Sequence, residues 1–84
     1  MDLPVSFVDA QARVKALSSA PSSSDLLELY AFFKQATLGD ATGTRPGRLD
    51  FRARAKFDAW TTKTGMTGAQ AMTAYVALVD RVCA

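Results

Sequence analysis

Residues 29–60 read LYAFFKQATLGDATGTRPGRLDFRARAKFDAW, and this stretch sets the architecture. Its first part closes an aromatic-rich helix. Leu29, Tyr30, Phe33 and Thr37 fall three or four residues apart, so they share one side of an α-helix. Gly39 stands where a left-handed C-cap residue belongs. GDATGTRPGRL then shows no periodicity at all. Loops of this length are uncommon in small domains and are often functional; a plain crossover between two helices running in similar directions would need one too. Asp50 is placed to cap a following helix. Along one side of that helix lie Phe51, Ala55, Asp58, Ala59 and Thr62; along another lie Lys56, Phe57, Trp60 and Lys63.

Working outward, the helix before the loop extends over about 23–38, with Leu26 joining its stripe. Ser22 and Asp25 resemble a capping box at its start. Upstream, Phe7, Ala10, Val14 and Leu17 predict a helix over about 6–18, capped by Ser6 and broken by SSAPSSS. The helix after the loop spans about 51–64 and ends at Gly65. A fourth helix runs over about 68–82, where Thr67 and Gln70 form a capping box. Ala69, Met72, Val76 and Val79 give it one apolar line; Ala71, Tyr75, Leu78 and Val82 give a second. No segment alternates with period two. The fold class is therefore all-α, a small four-helix bundle forming a single domain over residues 1–84.

Composition narrows the function. The 84 residues carry a net charge of +2, and nearly half are apolar, which argues against disorder. Six of the ten cations are Arg45, Arg48, Arg52, Arg54, Lys56 and Lys63, opposed in that region only by Asp50 and Asp58. Such a patch favours an anionic partner, although a solvated helix face has the same composition. Cys83 is the single cysteine, so no intrachain disulfide forms, and a reducing compartment is expected. The chain lacks histidine, which removes the commonest general base and metal ligand. With no leader-like N-terminus and no apolar run near about 18 residues, the reading is a cytoplasmic protein without stable membrane insertion.

Catalysis finds no support here. The serines and Cys83 have no histidine to activate them. Asp50 reads as a cap and Asp40 as turn chemistry, and GDATGTRPG lacks the Gly-Lys-Ser/Thr ending of a phosphate loop. No catalytic residue, metal site or cofactor is expected. Binding is better supported. Tyr30 and Lys34 lie four apart on one helix face, adjoined by Phe33. If Lys56 converges on them, two ammonium groups and a phenol would surround one anion, an arrangement suited to phosphate. An aromatic stripe at helical spacing also suits core packing, Phe33 more than Tyr30. Lys34 is harder to absorb, because its neighbours favour burial and its amine must reach water or an anion.

LYAFFKQATLGD, TRPGRLDF and AKFDAW together closely resemble the signature of the acyl-CoA-binding protein family, and AMTAY continues the match in the fourth helix. The spacing from Tyr30 to Lys56 fits without a gap. The resemblance covers nearly the whole chain and implies an up-down-down-up bundle that binds medium- to long-chain fatty acyl-CoA thioesters. It implies a monomeric, non-catalytic intracellular carrier. It also implies site roles. Tyr30, Lys34 and Lys56 would hold the ribose 3′-phosphate, and Phe33 would lie against the adenine. Lys15 and Arg52 would stand near the head group, Ala10 would form part of the pocket floor, and Tyr75 would touch the ligand near the thioester or acyl chain. One alternative is an interaction module that kept the bundle and lost the ligand; the joint presence of Tyr30, Lys34 and Lys56 argues against it. A second, nucleic-acid binding through residues 45–63, is disfavoured by the net charge of only +2 and by the acids interspersed in the aromatic cluster, so no nucleic-acid partner is expected.

Two positions depart from the family pattern, with phenylalanine at Phe33 for tyrosine and at Phe57 for tryptophan. At Phe33 the ring remains and the hydroxyl is gone. Phe33→Tyr is therefore expected to keep or strengthen the affinity for a long-chain acyl-CoA in calorimetry; a clear loss would place this ring in a different role.

Overall fold

The computed structural model describes residues 2–84. Four helices appear: α1 (Leu3–Lys15), α2 (Ser23–Leu38), α3 (Phe51–Thr61) and α4 (Gly68–Val82), and no strand occurs among the described residues.

The caps explain most of the boundaries. The Ser22 side chain accepts from the Asp25 N–H at the head of α2, and Asp50 accepts from Ala53 at the head of α3. Thr67 and Gln70 form a reciprocal capping box on α4. Two boundaries differ from the sequence reading. α1 begins three residues early because Asp2, not Ser6, is its N-cap; Asp2 Oδ1 accepts from Val5 N–H at 3.0 Å, and Pro4 presets the first turn. It also stops at Lys15 instead of reaching 18. α3 ends at Thr61, short of 64. The Thr61, Thr62 and Thr64 hydroxyls donate back to Phe57, Ala59 and Thr61 carbonyls, drawing the chain into turns before Gly65 at φ +93°. Gly39 ends α2 at φ +83°, yet its ψ of −151° is extended and not left-handed helical. The chain leaves straight, and Asp40 is thereby brought beside Gly65.

Side-chain contacts fix the helix directions. Phe7 meets Tyr75 and Arg13 meets Asp80, so α1 and α4 run parallel. Asp25 near the start of α2 pairs with Arg81 near the end of α4, so these two run antiparallel. Leu26 adjoins Phe51, Tyr30 adjoins Lys56 and Lys34 adjoins Trp60, so α2 and α3 run parallel across the long loop. The result is an up-down-down-up bundle. Its core joins Phe7, Ala10, Leu29, Tyr75, Leu78 and Val79 from α1, α2 and α4. Burying each of the larger apolar side chains contributes about 1.5–3 kcal/mol.

α3 stands apart from that core and packs only on α2. Polar staples hold it there. The Trp60 indole N–H donates to the Gly39 carbonyl at 2.8 Å, and Arg45 grips Asp58 with two bonds of 2.8 and 2.6 Å. Lys63 pairs with Glu28 at 2.6 Å and lies over the Phe32 ring. Gln35, 1% exposed, donates from Nε2 to both Asp40 Oδ1 and the Met66 carbonyl. Asp40 Oδ1 also accepts from Gly65 N–H at 2.9 Å.

These bonds give the fold an acid limit. The Gly65 N–H and the Gln35 amide hold the Asp40 carboxyl below its ordinary value; Arg81 does so for Asp25 and Arg45 for Asp58. A depressed native pKa adds stability above the unfolded value and loses it as pH falls through the native one. The thermal midpoint should be flat near neutrality and decline below about pH 5. Asp40→Asn should soften that decline; an unchanged midpoint down to about pH 3 would contradict the linkage.

Candidate functional site: a cationic groove beside an apolar one

Two grooves run along the α2–α3 seam and share Tyr30, Arg52 and Lys56. The first, about 450 Å³, is walled by Leu26 and Leu27 from α2 and by Phe51 and Ala55 from α3. The second, about 420 Å³, adds Lys34, Pro46, Phe57 and Trp60. A third, about 390 Å³, opens between the α1 end, the α1–α2 connection and α4, and meets the first at Leu26; Lys15 and Tyr75 line it.

At the centre, two ammonium groups converge on one phenol ring. Lys34 Nζ lies 5.8 Å from the Tyr30 ring centroid and 5.3 Å from that of Trp60. Lys56 Nζ lies 5.4 Å from the same Tyr30 ring. The four-residue step from Tyr30 to Lys34 sets two of these groups on one face, and the parallel register of α3 brings Lys56 to them. Neither lysine has a carboxylate partner. Among the described residues the ion pairs engage Arg13, Arg45, Lys63 and Arg81, so Lys15, Lys34, Arg48, Arg52, Arg54 and Lys56 are left without one. Four of those six line the grooves.

The residues singled out from the sequence thus fall into three sets. Tyr30, Lys34, Arg52 and Lys56 come together on the seam. Lys15 and Tyr75 lie in the adjoining groove; Tyr75 is 6% exposed, and burial pushes its phenol above the ordinary value. Phe33 and Ala10 lie elsewhere. Phe33 is half-buried, stacked on Phe7 with centroids 5.9 Å apart and an interplanar angle of 26°, and it lines none of the three grooves. Ala10 is fully enclosed in the core. Several wall residues escaped the sequence reading as site residues: Leu26, Leu27, Phe51, Ala55, Phe57 and Trp60. The spacing had put Phe51 and Ala55 on one side of the helix and Lys56, Phe57 and Trp60 on another, and only the parallel register shows that both border α2. No cluster of acidic, histidine and cysteine side chains suited to a metal occurs among the described residues.

The sequence profile described as Acyl CoA binding protein matches residues 5–79. The chain belongs to the acyl-CoA-binding protein family. It is 48% identical over 82 residues to acyl-CoA-binding protein homolog 1 of Caenorhabditis elegans, covering 98% of this chain and 95% of that relative. With the acyl-CoA-binding protein homolog of Manduca sexta the identity is 49% over 85 residues, covering 100% and 94%. Among solved structures, the crystal structure of Oryza sativa acyl-CoA-binding protein 2 superposes with a TM-score of 0.89 at 35% identity, covering 95% of this chain and 89% of that one. The family's bundle and this one are the same architecture.

A cation without a counter-ion adds little to stability. Lys56→Met is therefore expected to keep the unfolding free energy within about 0.5 kcal/mol of the parent in denaturant titration. A much larger loss would show that Lys56 holds α3 in place.

Proposed function

We propose that this chain binds medium- to long-chain fatty acyl-CoA thioesters and carries or buffers them without catalysing a reaction on them. One observation carries the reading: two unpaired ammonium groups share the Tyr30 ring at the point where an apolar groove meets an aromatic, cationic one. The ligand this suits has an apolar tail and a polyanionic aromatic head. Each methylene buried by the apolar walls contributes roughly 0.8 kcal/mol. Charge-assisted bonds from Lys34, Lys56 and the Tyr30 hydroxyl fix the head and select it over a free fatty acid.

In this reading Tyr30, Lys34 and Lys56 hold the ribose 3′-phosphate, with Arg52 and Lys15 beside the other phosphates. Adenine takes the exposed remainder of Phe33, and Tyr75 adjoins the thioester end of the chain. Ala10 supports the floor from within the core, where a larger side chain would push α1 off α4. The domain occupies residues 1–84 and acts as a cytoplasmic monomer that binds no nucleic acid. The family's relatives, which carry acyl-CoA binding in their names, support this reading.

Calorimetric titration with palmitoyl-CoA tests it. Lys34→Ala and Lys56→Ala should each weaken binding by about 1–3 kcal/mol with helix content intact. With a dephospho-CoA thioester, which lacks the 3′-phosphate, the same substitutions should matter much less. Unchanged affinity in both variants would put the phosphate elsewhere.

A further inference from the structure

The long loop between α2 and α3 is fastened at both ends and, among the described residues, at one point between them. Asp40 ties its start to Gln35 and Gly65, and Asp50 caps α3 at its far end. From Thr42 to Leu49 every residue except Pro46 is exposed, so burial holds little of this stretch. Its one side-chain bond to another element, among the described residues, is the fork of Arg45 on Asp58 of α3, at 2.8 and 2.6 Å. Pro46, the next residue, lines the cationic groove with Tyr30, Lys34 and Lys56. A proline confines the residue before it to extended backbone, so the link from Arg45 to Pro46 is stiff. Neither Arg45 nor Asp58 lines the cationic groove or the apolar one.

The two side chains of this pair are 49% and 46% exposed, a setting in which an ion pair adds little to global stability. What its bidentate geometry supplies is direction. We infer that Arg45 and Asp58 are positioning residues for the head-group site: their ion pair holds the loop so that Pro46 already stands as a wall of the cationic groove before a ligand arrives. Binding then does not have to order the loop, and the pair raises affinity by that difference although it touches no ligand. The effect on affinity rests on the function proposed above. The hold on the loop depends on no ligand.

Opposite changes of charge separate positioning from simple attraction. Arg45→Gln removes a cation and Asp58→Asn removes an anion, so attraction alone would shift the affinity for a polyanionic ligand in opposite directions. Positioning predicts that both weaken palmitoyl-CoA binding in calorimetry by the same factor, about five-fold. Exchanging the charges, Arg45→Asp with Asp58→Arg, should recover most of the loss. Thermal midpoints should move by no more than a few degrees. Asp80→Asn, which breaks the similarly exposed Arg13–Asp80 pair between α1 and α4, should leave affinity unchanged. Trypsin reads the loop without ligand, because it cuts after Arg48; cleavage there should be about five-fold faster in both single variants than in the parent. Tighter binding by Asp58→Asn, parental affinity in both single variants, or cleavage of both at the parent's rate would each overturn the inference. Failure of the parent itself to bind palmitoyl-CoA would overturn the function proposed above and the role in affinity with it, while the cleavage rates would still decide the hold on the loop.

Discussion

One buried amide governs where the second half of the molecule sits. Gln35 donates at once to Asp40 and to the Met66 carbonyl, and Asp40 receives the Gly65 N–H in turn. The end of α2, the start of the long loop and the α3–α4 connection are thereby tied into one node. α3 packs on α2 alone, so its position rests on that one seam. The node, the Trp60–Gly39 bond and the Arg45–Asp58 pair add directional restraints to it. A buried polar group of this kind costs about 1–3 kcal/mol when left unpaired, so sliding α3 along α2 is penalised at each broken bond. The alignment of Lys56 with Tyr30 and Lys34 follows from this restraint.

The same architecture divides the charges by purpose. Arginines and lysines that tie one segment to another have carboxylate partners, and those that line the seam do not. Exposed ion pairs are worth little, on the order of 0–1 kcal/mol, so the paired set adds mainly orientation. The unpaired set repels itself slightly in the free protein, and an anion bound there relieves that repulsion. A seam lined by free cations suits recognition, and the α1–α2–α4 core holds most of the buried apolar side chains.

Much of this was legible in the residues, because it is local. The caps at Ser22, Asp50 and Thr67, the helix stripes and the face shared by Tyr30 and Lys34 depend on spacings of three or four residues. The α1 start was misplaced because the apolar stripe begins at Phe7, although Asp2 and Pro4 carried the cap signal. The α3 end was placed late because three threonine hydroxyls turn inward to carbonyls, which periodicity does not register. What spacing could not supply is the register between helices. Trp60 and Phe51 became groove walls only through the parallel α2–α3 packing, and Phe33 stacks on Phe7 of α1, a partner far off in the sequence. The resemblance of the central motif gave the architecture and the convergence of Lys56 on Tyr30, which no single helix contains.

The central claim is that one ligand is read at both ends, by the apolar groove and by the cations beside it. Isothermal titration with palmitoyl-CoA, and separately with CoA and with palmitate, tests this most directly. The account predicts tight one-to-one binding of the thioester and far weaker binding of either fragment. Palmitate or CoA binding as tightly as palmitoyl-CoA, or no binding of the thioester at all, would contradict it.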